Sequence, residues 1–236
     1  VAAEQIEHAS ERNPMLAFPY TKLHNSQWNV DQAAGLVFCS QAAAERLGID
    51  PARWIFPLAV AESNHMVPLA ERRDPDRSDG ARIAGAKAFE LAQTSADRVA
   101  HLELYSCFPS AVRIQARELG IGTERPLTVT GGMAFGGGPL NNFVLQAVAR
   151  MAHVLRADPG SAGLVSAVSG MLTKQGFSLW SSAPGAAPFA TADTTSEVER
   201  ALERVRVVPD YAGAASVRTY TVLYEGGAPA RAVAFC

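Results

Sequence analysis

Leu127-Thr128-Val129-Thr130-Gly131-Gly132-Met133-Ala134-Phe135-Gly136-Gly137-Gly138-Pro139-Leu140-Asn141-Asn142 passes from a short β-rich run through five glycines in eight residues. It opens into Phe143-Val144-Leu145-Gln146-Ala147-Val148-Ala149-Arg150-Met151-Ala152-His153-Val154-Leu155. Pro139 fits a first helical position, where its missing N–H costs nothing. Leu140, Phe143, Val144, Ala147, Val148, Met151, Val154 and Leu155 follow the i, i+3, i+4 rule, so this face is core. Asp158-Pro159-Gly160 stops the helix. Strand, glycine loop and helix N-terminus together bring backbone N–H groups close to an anion or a polarised carbonyl. The same glycines also serve a tight turn that needs positive φ and close packing. Their spacing is neither the dinucleotide fingerprint nor a P-loop, since no G-x-G-x-x-G opens a helix and no G-K-[ST] follows.

A second β-turn-α unit lies upstream. Val99 to Phe108 reads as a strand running into Pro109 and a helix with Val112, Gln115, Ala116 and Leu119 on one side. Gly120 ends it. Two such units argue for parallel or mixed β with helices packed on its faces. Ahead of them, Asp31 to Cys39 ends as a buried strand, Ser40 caps a helix from Gln41 to Leu47, and Gly48 closes it. Trp54 to Ala61 is a strand candidate that Pro57 keeps off a sheet centre or bulges. Glu71 to Gly80 is a solvated charged loop, and Ala81 to Gln93 a helix. After Gly160, Gly163–Met171 and Gly176–Ser181 read as strands, residues 182–195 as a linker, and Ser196–Val205 as a short helix.

The ends read differently. Residues 1–12 form a short polar helix, and residues 13–30 an ordered loop in which His24 is a hydrogen-bonded residue. Ser216–Tyr224 and Ala230–Cys236 form a hairpin about a Gly-rich turn. A lone hairpin is marginal in water, so residues 206–236 are expected to begin a small, truncated β domain. A first residue other than Met, and the abrupt end, fit a fragment. The expected division is 1–30 loop, 31–190 main domain, and 206–236 β domain.

Composition sets outer limits. The chain has 236 residues, 48% of them hydrophobic, and a net charge of −2, which gives no electrostatic footprint for nucleic acid. No apolar run approaches about 20 residues, so no membrane span is expected. The acidic N-terminus has no signal-peptide pattern. Cys39, Cys107 and Cys236 match neither a metal site nor a disulfide framework, and a reducing cytoplasm is the expected location.

From about Gln32 to Trp180 the order of elements resembles the C-terminal half of a thiolase, closest to the sterol-carrier-type and acetyl-CoA acetyltransferase-like branch. Glu103-Leu104-Tyr105-Ser106-Cys107-Phe108 is similar to the family's strand-end motif, Asn-Glu-Ala-Phe or His-Asp-Cys-Phe. Gly131 to Leu140 is similar to its Gly-Gly-x-x-x-x-Gly-His-Pro-Leu. Gly163 to Gly170, with Thr173-Lys174, is similar to the strand and hairpin that carry its second catalytic Cys. The resemblance implies an α/β half-domain, acyl-CoA as substrate with no covalently bound cofactor and no metal, self-association, and a role in lipid metabolism.

Claisen chemistry needs a thiolate, an imidazole, a base and oxyanion donors. The family's nucleophilic Cys belongs to the N-terminal half, outside this chain. Gly138 stands where the family has its His, Tyr105 where it has an Asn or His donor, and Val168 or Ser169 where it has the second Cys. Tyr105 still donates from its hydroxyl. The residues carried over are Tyr105, Cys107 and Ser169 for catalysis, and Phe108, Gly137, Gly138, Asn141, Asn142 and His65 for substrate binding. Asn141 and Asn142 also suit helix capping. Three functions follow: a thiolase-like acyltransferase with degenerate motifs, a retro-aldolase on a β-hydroxyacyl-CoA that uses Tyr105 and pairs with an OB-type β domain, or a non-catalytic acyl-CoA- or partner-binding subunit.

Overall fold

The computed structural model describes residues 1–236. Its helices are α1 (Ala3–Glu7), α2 (Gln41–Arg46), α3 (Asp79–Leu91), α4 (Pro109–Glu118), α5 (Asn142–Ala157) and α6 (Thr195–Ala201). Its strands are β1 (Met15–Ala17), β2 (Tyr20–Thr21), β3 (Phe56–Asn64), β4 (His101–Glu103), β5 (Ala162–Ser169), β6 (Lys174–Ser181), β7 (Ala190–Asp193), β8 (Thr219–Glu225) and β9 (Ala228–Phe235). No helix is long and apolar enough to cross a membrane.

The expected mixed α/β architecture is present. The main sheet has the order β4-β5-β6-β3-β7. β4 runs parallel to β5 and β7 parallel to β3, while β6 is antiparallel to both β5 and β3. Alternate residues of the central strands feed two cores. Leu164, Phe177 and Leu179 meet Ala81, Ala84 and Ala88 of α3 and Ala116 of α4 on one face. Val165 and Trp180 meet Phe143, Ala147, Met151 and Leu155 of α5 on the other. Each fully buried large side chain contributes about 1.5–3 kcal/mol. The alanines and Gly85 let α3 lie close, since a Cβ at Gly85 would run into the Leu119 side chain.

Several expectations need correction. Asp31–Cys39 is not a strand. Leu36 packs beside the α5 core, but Val37 is 94% exposed and the segment pairs with no strand. Leu127–Thr130 is not a strand of the sheet: it bends at Val129 and Thr130, whose amides go to the Glu103 carboxylate and not to a neighbouring strand. α5 starts at Asn142, three residues after Pro139, because Leu140 adopts φ +54°. Leu140 is therefore 75% exposed and outside the core. The expected linker contains β7. Pro57 sits at the predicted bulge, yet β3 is internal, since β7 begins its pairing only at Ala59 and never reaches Pro57.

Residues 1–30, beyond the first helix, are more than loop. β1 and β2 join the β8–β9 hairpin in a second sheet ordered β2-β1-β8-β9. The Phe18 amide donates to the Val222 carbonyl at 2.8 Å, and the Phe18 and Tyr220 rings stack at 5.7 Å.

Candidate functional site

β3, β4 and β5 all run in one direction, so their C-terminal ends share one edge of the sheet. In open α/β sheets this is the edge where ligands bind. His65 follows β3, Tyr105–Phe108 follow β4, and Ser169 closes β5. The glycine loop reaches the same edge, because α5 must run back along the sheet to the start of β5.

Glu103, fully buried at the last position of β4, organises this edge. Its carboxylate accepts from the amides of Val129 and Thr130, each at 2.8 Å, and from the hydroxyls of Thr128 and Thr130 at 2.9–3.1 Å. Burial pushes the carboxyl above the ordinary range, while these donors pull it back. The two threonine hydroxyls accept in turn from the amides of Gly131 and Gly132, and Ser106 Oγ accepts from Met133. The amides of Gly136 and Gly138 donate to the carbonyls of Gly132 and Gln27. These loop amides are engaged within the protein, so an anion cradle made from them is not formed. The loop glycines serve close packing instead.

Residues 26–32 lie as a strap over the strand end and the loop. The Ser26 amide donates to the Cys107 carbonyl at 3.0 Å, and Gln27 exchanges hydrogen bonds with Met133 and Gly138 at 3.1 and 2.9 Å. Gln32 donates to the Gly136 carbonyl and accepts from Asn142 Nδ2, both at 2.9 Å. A Cβ at Gly137 would lie 2.6 Å from Val30 Cγ2. A Cβ at Gly138 would meet Ser26 Oγ, and Met133 at 3.0 Å. The place of the family's histidine is filled.

Side chains after β4 alternate. Tyr105 and Cys107 face the α5 core, and the Tyr105 ring meets Phe143 edge-on at 5.6 Å. The Tyr105 backbone is fixed by Ser166 Oγ and by Gln115 Nε2, each at 2.9 Å, and its hydroxyl makes no hydrogen bond in the protein. Burial, then the nearby Cys107, push the phenol up, so it stays a neutral donor. Burial likewise raises the Cys107 thiol, against backbone hydrogen bonds. Phe108 is half exposed and stacks on Tyr20 at 6.3 Å. Ser169 is exposed at the start of the β5–β6 turn, where Gly170, Met171 and Leu172 all have positive φ. His65 binds the same turn through its amide, which donates to the Thr173 carbonyl at 3.2 Å. The candidates thus fall in two groups, one at the strand end and glycine loop and one at the β5–β6 turn. Asn141 occupies the N-cap position of α5 without a side-chain cap bond, and Asn142 reaches the strap instead. No group of three or more His, Cys, Asp and Glu side chains gathers to hold a metal.

A protonated thiol alkylates slowly. Iodoacetamide at neutral pH should modify the exposed Cys39 and Cys236 first, with Cys107 about tenfold slower or more. Equal labelling of all three, read by peptide mass spectrometry, would mean that Cys107 carries an available thiolate.

Sequence reasoning missed Glu103, Ser106, Gln115, Ser166 and the strap. Gln115 had a signal, a polar residue on the apolar face of α4. There it is fully buried, and its Oε1 accepts from Ser166 Oγ at 2.6 Å.

The chain is similar to the crystal structure of a monomeric SCP2-thiolase-like protein type 1 from Mycobacterium smegmatis. The two share 30% identity with a TM-score of 0.83, over 95% of this chain and 50% of that one. This chain thus spans about half the length of that protein. No protein-family model and no curated protein matches it. The fold is thiolase-like.

Proposed function

We propose that this chain is the C-terminal half of a thiolase-like protein of the sterol-carrier type. In this reading the edge at Tyr105 binds an acyl-CoA without performing thiolysis. The observation that carries it is the crowding at Gly138, where a base would have to displace Ser26 Oγ and the Met133 side chain. Acyl transfer, the activity the resemblance implies, needs an activated nucleophile as well. The Cys107 thiol keeps its proton, and Ser169 Oγ makes no hydrogen bond to a base. A neutral Tyr105 hydroxyl, held on a fixed backbone, suits donation to a thioester carbonyl.

The same donor favours a second reading, retro-aldol cleavage of a β-hydroxyacyl-CoA. A base removes the β-hydroxyl proton, the Cα–Cβ bond breaks to release a ketone, and its electrons pass to a thioester enolate that Tyr105 stabilises. Protonation at Cα completes the reaction. A cytoplasmic role in lipid metabolism, self-association, and pairing with an OB-type β domain belong to the same proposal.

Calorimetric titration with acetyl-CoA and a longer acyl-CoA tests it. Saturable binding is expected, weakened about tenfold by Tyr105→Phe through loss of one hydrogen bond to the ligand. In the full-length protein no thiolysis of a β-ketoacyl-CoA is expected. Ketone release that Tyr105→Phe abolishes selects the second reading. A folded chain that binds neither ester overturns both.

A further inference from the structure

We propose that a cavity between α4 and the glycine loop binds a small neutral carbonyl compound, on the side of the strand end away from Tyr105. This inference does not depend on the acyl-CoA reading. Strand alternation turns Leu104 and Ser106 into this cavity while Tyr105 and Cys107 face α5. Its apolar walls include Leu104, Val112, Leu127 and Met133, and His24 stands among its lining residues. The volume is about 200 Å³. An enclosed protein cavity of about 150 Å³ takes benzene, and this one, open to solvent on one side, is large enough for a small ring compound.

Two donors on lining residues, neither with an acceptor in the protein, set the ligand's chemistry. His24 Nδ1 faces the Thr21 amide at 3.2 Å, and an amide N–H can only donate. Nδ1 is therefore the acceptor and the proton sits on Nε2, which makes no hydrogen bond in the protein. Ser106 Oγ accepts from the Met133 amide at 2.9 Å and its own proton has no acceptor. Three other polar groups on the walls are spent. The Thr128 hydroxyl is held by Glu103, and the amides of Gly131 and Gly132 by threonine hydroxyls. No carboxylate lines the cavity, so an ammonium finds no partner there. Two donors over apolar walls fit an oxygen acceptor on a small hydrocarbon body.

Cyclohexanone and methylenecyclohexane have the same shape and differ in the acceptor. Each is titrated into the labelled protein while the Val112 and Leu127 methyl signals and the His24 ring signals are followed by NMR. Saturable shifts are expected with cyclohexanone, with binding about tenfold weaker for methylenecyclohexane, which lacks the acceptor. Val112→Phe should fill the space and remove binding. If that variant does not fold, intermolecular NOEs from cyclohexanone to the Val112 and Leu127 methyls of the unaltered protein take its place. Equal affinity for the two compounds, no saturable shift up to the solubility limit, a folded Val112→Phe that still binds, or no such NOEs would overturn the site.

Discussion

Glu103→Leu is expected to destabilise the protein by about 2–4 kcal/mol, because it leaves the half-buried Val129 amide without an acceptor and the Thr130 amide with Thr128 Oγ1 alone. The threonine hydroxyls can rotate to other partners, but the Val129 amide cannot. Glu103→Gln keeps one acceptor oxygen for those amides and turns its NH₂ toward hydroxyls that can accept, so its cost should be about 1 kcal/mol. Urea unfolding of both variants measures the difference, and equal stability of Glu103→Leu and Glu103→Gln would show that the carboxylate is not what holds the loop.

The pH dependence has a definite sign. The folded-state pKa of Glu103 lies above the ordinary carboxylate value, so the folded state binds more protons between the two values. Stability from this group is then fully present below the ordinary value and is lost as pH rises through the raised one. The margin of the unaltered protein over Glu103→Gln should therefore narrow from mildly acid to neutral pH. A margin that widens would mean that the donors around the carboxylate outweigh its burial.

The sequence makes legible what depends on local periodicity. The α5 face from Phe143 to Leu155 and the paired strands β5 and β6 follow from spacing, and Pro57 announces its bulge. What escapes depends on hydrogen bonding between distant segments. Gly35 to Phe38 alternates like a strand, and Leu36 does pack beside the α5 core, while Phe38 is largely exposed and meets only the Trp180 ring. It nevertheless lacks a partner for its backbone, and no residue in the run encodes that. β7 was hidden for the opposite reason, since Ala190, Thr191 and Ala192 carry little apolar signal and gain strand form only by lying parallel to β3.

The site divides along the same line. The resemblance led to Tyr105, Cys107 and the glycine loop as neighbours at one edge of the sheet. It could not lead to the strap, whose Ser26, Gln27 and Gln32 look like ordinary loop residues until they are seen against Cys107 and Gly138. Nor could it reveal that Glu103 serves the loop, because the acid and its donors lie about 25 residues apart in sequence.

Restoring the family's histidine should fail to restore a base. A Cβ at position 138 meets Ser26 Oγ, and Met133 at 3.0 Å, before any imidazole is added. Met133 is 1% exposed and the Ser26 backbone is tied to Cys107, so a side chain at 138 has to turn Ser26 Oγ off the Gly138 carbonyl and displace the buried Met133. Overpacking of this kind costs about 1–3 kcal/mol, and each strap hydrogen bond lost adds about 1 kcal/mol. Gly138→Ala should therefore lose about 1–3 kcal/mol, and Gly138→His about 3–5 kcal/mol. Trypsin should cut faster after the exposed Lys22 in both variants, since the strap follows it directly. Ser26→Gly removes the hydroxyl that the new Cβ meets, and in the double variant it should recover part of the Gly138→Ala loss, a coupling that two independent sites would not show. Gly138→His that leaves this chain as stable as before, and that gains thiolysis when placed in the full-length protein, would mean that the strap gives way freely. The filled space could then no longer be the reason this edge lacks a base, and the acyltransferase reading would regain first place.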